Sequence, residues 1–287
     1  MHKYYSTGAR ILLWVIFAIF AVYALTLIFP FVWMLINSIK TNQEFFTDIW
    51  ALPKGFKIEN YFNAFSYSMQ TASGSYNLLT MFLVSVGITL TATVVNTLLS
   101  TMAAYVVARY KFPGRNLLYS LALFTLIMPV VGTLPAQYRL MQTIGLYNTI
   151  PGLLVLYSGS FGFTFFIMHG YFKNVSETYA EAAFVDGASD FQVFTKIMVP
   201  MARPIMISMA IIYGIGIWND YVTPSIYLKS VPTLAVGIRY LTQTMTSSGA
   251  YAEMFAAMII SIVPIIAIFI AFRKTIMENT IAGGIKG

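Results

Sequence analysis

Charge divides this chain. Between Arg10 and Lys40 lie 29 consecutive uncharged residues, Ile11 to Ile39. Further charge-free intervals run from Tyr61 to Ala108, Asn116 to Tyr138, Leu140 to Phe172, Pro204 to Asn219 and Met254 to Phe272. A helix needs about 20 apolar residues to cross about 30 Å of hydrocarbon. The intervals therefore predict an all-α polytopic membrane protein with six transmembrane helices, over about 11–36, 78–108, 117–136, 149–168, 203–222 and 254–272. The second starts near Leu78 because Phe62 to Asn77 is aromatic and polar, and Asp220 interrupts the fifth early. Charged residues make up 9% of the chain, against about a quarter in a soluble domain, so water cannot be its main solvent. That excludes a soluble enzyme, a nucleic-acid-binding domain and a disordered chain. The net charge of +7 points to no nucleic acid, because the basic residues sit between apolar runs rather than on one face. With no Cys, disulfides, thiolate metal sites and Cys nucleophiles are also excluded.

The first apolar run is too long for a signal peptide and has no A-x-A pattern before Lys40, which makes it a retained anchor. With six spans both ends share one side. That side holds 11 of the 17 Lys and Arg residues, including Lys3, Arg10, Arg109, Lys111, Arg115, Lys173, Lys196 and Arg203. The positive-inside bias then makes both termini cytoplasmic, in a multi-pass protein of the cell (inner, cytoplasmic) membrane. Residues 1–287 read as a single membrane domain with no soluble domain attached. Its longest cytoplasmic loop covers 169–202.

That loop reads as two short helices with a bend. Ser176 can cap the first, and Glu177 and Glu181 place negative charge where the helix dipole favours it. Ala180, Ala182 and Ala183 are strong helix formers, and Gly187 suits the left-handed residue that ends such a helix. Asp190 can cap the second segment, and Pro200 and Pro204 mark its exit into the next span. A rigid helix with small residues on one face suits a groove in another protein. The same composition equally suits an amphipathic helix on the bilayer surface.

Glu181-Ala182-Ala183, Gly187 and Ile197-x-x-Pro200 resemble the EAA loop of ABC importer permeases. Ser38-Ile39-Lys40, Asn60-Tyr61, Tyr110-Lys-Phe-Pro-Gly-Arg115 and Leu134-Pro135 resemble landmarks of the carbohydrate branch. So do Gly145-Leu146-x-Asn148-Thr149, Trp218-Asn219-Asp220, Thr233-Leu234-x-Val236-Gly237 and Ala282 to Gly287. These landmarks cover nearly the whole chain in order and are similar to the second, six-span permease of maltose-type sugar importers. Val199, Val231-Pro232 and Ala235 depart from the usual pattern, which leaves the sugar open. The resemblance implies the transmembrane permease subunit of an ATP-driven, binding-protein-dependent importer of a sugar, with an oligosaccharide as the expected size. Its partners would be a second permease in a heterodimer, two ATP-binding subunits, an extracytoplasmic solute-binding protein, the sugar, and the membrane lipid around its spans. Glu177, Glu181, Ala182, Ala183, Asp186 and Gly187 are then the coupling helix that docks on the ATPase, and the tail from Ala282 reaches the same interface.

No Gly-x-x-x-x-Gly-Lys-Ser/Thr loop occurs, so ATP and Mg belong on partner subunits and this chain binds no cofactor of its own. No catalytic residue and no metal site is assigned. The two histidines, His2 and His169, form no His-Glu-x-x-His pattern, and His169 reads as an interfacial residue. The alternative class, an ion-coupled secondary transporter of a small polar solute, would want ionisable residues near the midplane. Asp220 is the one acid near the hydrocarbon. Trp218, Asn219 and Asp220, beside Gly214 and Gly216, lead the substrate-pathway candidates, followed by Asn96 and Tyr157. Structural roles compete with this reading: Asp220 can cap a helix or fix a loop, and the Gly pair can permit close packing.

Overall fold

The structure, a computed structural model, describes residues 7–127 and 130–282. Three helices come first: α1 (Thr7–Ser38), α2 (Asn42–Thr47) and α3 (Glu59–Ser66). A hairpin of β1 (Ser68–Thr71) and β2 (Gly74–Asn77) leads into α4 (Leu78–Arg109), α5 (Arg115–Ile127) and α6 (Val130–Thr143). Then follow α7 (Ile150–Tyr157), α8 (Phe163–Asn174), α9 (Thr178–Val185) and α10 (Asp190–Val193). One π-helical turn, Phe194–Met198, joins α10 to α11 (Val199–Asn219). The chain continues through α12 (Val222–Tyr227), α13 (Leu234–Ser248) and α14 (Tyr251–Ala282). The hairpin departs from an all-helical chain: Thr71 pairs with Gly74 across a two-residue turn, and the Thr71 hydroxyl donates to the Ser230 carbonyl at 2.9 Å.

The chain forms two compact units, Met1–Tyr67 with Tyr240–Ile262, and Ser68–Arg239 with Val263–Gly287. In the first, the sequence landmarks hold one another. Asn60 donates to the carbonyls of Ser38 and Lys40, each at 2.8 Å, and the Ser38 and Tyr61 hydroxyls meet at 2.7 Å. Rings of Trp33, Phe45, Tyr251 and Phe255 pack together beside them. The apolar window of α1 buries nothing against the rest of the chain.

In the second unit α4 is the central element, packed against α8 and α11. Asn77 caps it, accepting from the Thr80 amide at 2.9 Å, and it stops at Tyr110, before Pro113 and Gly114. Close approach explains two glycines here. A side chain at Gly214 would press on Thr93, and one at Gly237 would collide with the Met81 sulfur.

Among the described residues four helices are long and apolar enough to cross a membrane: Thr7–Ser38, Leu78–Arg109, Asp190–Asn219 and Tyr251–Thr275. Arg115–Ile127 with Gly132–Thr143, which diverge by 110°, make a fifth if the pair counts as one span. Part of the expected 117–136 span lies outside the described residues. The expected fourth span, 149–168, is not one helix: it divides into α7 and α8 around residues 158–162. The fifth begins earlier than its prolines suggest. Pro200 sits in the first turn of α11, where a missing N–H costs little, and the π turn before it lets the helix continue from Asp190.

Candidate functional site

Two places in the second unit carry candidate function. The first is the bent arm between α8 and α11. Gly187 has φ +81°, the left-handed conformation its sequence position required. The Ala188 amide donates to the Ala183 carbonyl at 2.9 Å and the Gly187 amide to Phe184 at 3.0 Å, the paired bonds of a Schellman ending. Ser176 binds the Thr178 amide at 3.3 Å rather than reaching deeper into α9. Asp190 is not the cap of α10. Ser189 is, in a reciprocal box with Gln192, because its hydroxyl precedes the first helical residue whereas Asp190 already lies inside the turn.

The arm is braced from the inner end of α4. Arg109 donates to the Val175 carbonyl and pairs with Glu177 at 3.7 Å, and the Tyr110 hydroxyl donates to Asp190 at 2.7 Å. Burial, then that hydrogen bond, pushes the Tyr110 hydroxyl up from its ordinary range, keeping it a donor. Ala180, Ala183 and Ala188 pack back on the chain's own core of Tyr105, Phe172, Val193 and Met198. The small-residue face therefore serves internal packing. What α9 turns outward is Tyr179, Glu181, Ala182, Phe184 and Val185, continued by Asp186, Gly187 and the exposed ring of Phe191. The aromatic members of this face were not singled out from sequence, since an aromatic within an Ala-rich helix reads as core.

The second place is a cavity of about 360 Å³ at the break between α7 and α8. Its walls include Asn96 and Ser100 of α4, Tyr157, Gly159 and Gly162 of the break, Tyr213 and Gly216 of α11, and Asp220. Backbone that leaves its helix among apolar segments must find partners nearby. Asn96 supplies them, donating to the Tyr157 carbonyl at 3.3 Å and the Gly159 carbonyl at 2.8 Å, and the Tyr213 hydroxyl also donates to Tyr157. The Tyr157 hydroxyl donates to one Asp220 oxygen at 3.0 Å. The other oxygen accepts from the amides of Val222 and Thr223, at 2.8 and 3.1 Å, so Asp220 fixes the start of α12 as well. Asn96 Oδ1 and Ser100 Oγ are buried without a partner.

Three of the five pathway candidates, Asn96, Tyr157 and Asp220, thus meet at one cavity. Trp218 and Asn219 do not line it: Trp218 sets its ring edgewise to Phe82 at 5.5 Å, and Asn219 donates to Ile215 of its own helix at 2.8 Å. Gly214 serves packing, and Gly216 leaves open space at the cavity. Ser100 and Tyr213 were missed. The Ser158-Gly-Ser-Phe-Gly162 cluster inside an apolar run was the signal that a break, with polar neighbours, lay there. His169 is buried between the rings of Tyr119 and Phe165. Residues 283–287 of the tail lie outside the described residues.

Four membrane-length helices, one broken helix around a polar cavity and, apart from it, an exposed and braced arm give the architecture of a multi-pass membrane protein. The family of binding-protein-dependent transport system inner membrane components matches residues 96–277, and the chain belongs to it. It is 32% identical over 269 residues to a diacetylchitobiose uptake system permease protein of Streptomyces coelicolor, covering 93% of this chain and 86% of that one. A maltose/maltodextrin transport system permease protein of Vibrio parahaemolyticus is 28% identical over 299 residues, covering 99% of this chain and 97% of that one. The fold is shared with a chain of a bacterial ABC transporter involved in the import of the acidic polysaccharide alginate, at a TM-score of 0.76 and 23% identity over 95% of this chain and 99% of that chain.

Proposed function

We propose that this chain is a pore-forming permease subunit of an ATP-driven sugar importer, taking an oligosaccharide from a solute-binding protein at its outer face. It spans the membrane six times with both termini in the cytoplasm. The eight residues of α7 and twelve of α8 rise about 12 and 18 Å, enough together for one interrupted span. A second permease completes the pore. Two ATP-binding subunits, which hold ATP and Mg, grip the outward face of α9 around Glu181 to Gly187. Their closure moves the arm, and the bracing from Arg109 and Tyr110 passes that movement to α4, the helix that also walls the cavity.

The observation that carries this reading is the cavity itself. Unpartnered Asn96 Oδ1 and Ser100 Oγ beside the rings of Tyr157 and Tyr213 match the hydroxyls and C–H faces of a sugar. The test is uptake into proteoliposomes containing this chain with its partner permease and ATP-binding subunits. Labelled oligosaccharide should accumulate only with both ATP and binding protein. Accumulation by this chain alone, driven by an ion gradient, would instead establish a secondary transporter.

A further inference from the structure

Beside the arm, the connection from α4 to α5 carries cations that the chain leaves unneutralised. Lys111 and Arg115 line a cleft of about 570 Å³ together with Phe112 and Leu117. Tyr119 of α5 packs on His169 of α8 with ring centroids 4.8 Å apart, and Thr125 donates to the Phe161 carbonyl at 3.2 Å, so the two helices run antiparallel and Arg115 and Lys173 each stand one turn beyond the Tyr119–His169 contact at the same end. Arg109 is already engaged by Val175 and Glu177, and Asp190 takes the Tyr110 hydroxyl. Arg115 makes one long bond, 3.4 Å, to the Tyr110 carbonyl. Among the described residues Lys111 and Lys173 have neither an ion pair nor a hydrogen bond. The cleft opens beside an apolar helix surface, where Leu117 and Leu121 of α5 are exposed.

Unpaired cations at the edge of an apolar surface suit an amphiphile with an anionic head. A free anion would use the charges and leave the leucines without a role. We infer that Lys111, Arg115 and Lys173 bind the phosphodiester of an anionic phospholipid whose acyl chains lie along α5. The site needs a membrane around the chain but not the transport reading, so lipid binding and uptake fail independently.

Native mass spectrometry of the purified assembly, equilibrated with phosphatidylglycerol or phosphatidylcholine, tests it. Phosphatidylglycerol should be retained preferentially, with the preference abolished in the Lys111→Gln/Arg115→Gln/Lys173→Gln variant. Each charge should contribute up to about fivefold. Lys111→Gln alone, at an exposed residue without a partner, serves if the triple variant does not assemble, and should lower retention measurably. Excess inorganic phosphate should not displace the lipid. Equal retention of the two lipids, unchanged retention in the variants, or displacement by phosphate would overturn the site.

Discussion

The arm and the cavity lie in the same compact unit and are built on opposite principles. In α9 and α10 the helix ends are decided within five residues, while Arg109 and Tyr110 hold the arm in place from α4: the Ala183–Ala188 and Phe184–Gly187 bonds close one helix, and Ser189 with Gln192 opens the next. No residue of α9 is buried. At the cavity almost nothing is local. Asn96 reaches 61 and 63 residues along the chain to the carbonyls of the break, and Tyr157 reaches 63 residues to Asp220. A local device keeps its shape while it is pushed, which suits a lever. A convergent one changes shape when any of its helices moves, which suits a gated path.

This contrast predicts where substitutions act. Asn96→Leu should have the largest effect. It strips the Gly159 carbonyl of its donor, at about 1–3 kcal/mol for a group left unsatisfied, and leaves the Tyr157 carbonyl with Tyr213 alone, so both thermal stability in detergent and uptake should fall. An unaltered melting temperature would mean that the break does not depend on this long-range bond. Gly187→Val comes next: a β-branched residue at positive φ costs about 1–3 kcal/mol, but at an exposed bend. Uptake should fall while the partner subunits still hydrolyse ATP, and Gly187→Asn, which tolerates that conformation, should recover part of it. Equal uptake in wild type and Gly187→Val would remove the bend from the mechanism.

Ser189→Ala should cost about 1 kcal/mol through the lost cap, read as faster amide exchange confined to α10. Exchange that also quickened around Tyr157 would show the arm and cavity to be less separable than their bonding suggests. The smallest effect concerns another locally determined helix, α2, whose Thr41–Glu44 box resembles that of α10. The Thr41 amide holds the Glu44 carboxylate below its usual range. Its contribution is therefore complete above an unfolded carboxyl value of about 4.3 and lost as pH falls through the lower folded value. Amide exchange in α2 should rise on that acid side alone. A rise beginning near neutrality would point to a different group.

Legibility in the sequence follows the same division. Gly187 was readable because a single residue type satisfies positive φ at a helix end, and the long spans were readable because an uncharged run is itself the cause of membrane crossing. Asp190 was misassigned as a cap by one residue, since Ser and Asp are both good caps and periodicity does not choose between neighbours. Which face of α9 points outward could not be read from its alanines, because the core they cover comes from α4, α8, α10 and the π turn. The cavity was half visible. Asn96 and Asp220 stand out as polar residues in apolar runs, whereas Tyr213 resembles any interfacial tyrosine until the break at 158–162 gives it a partner.

The central claim is that the arm faces the cytoplasm and is held there by another protein. Val185 is 88% exposed at the end of α9, and the chain has no Cys to remove first. Val185→Cys should react with a membrane-impermeant maleimide in inside-out vesicles, remain silent in intact cells, and be protected when the ATP-binding subunits are present. Labelling in intact cells, or labelling indifferent to those subunits, would contradict the account.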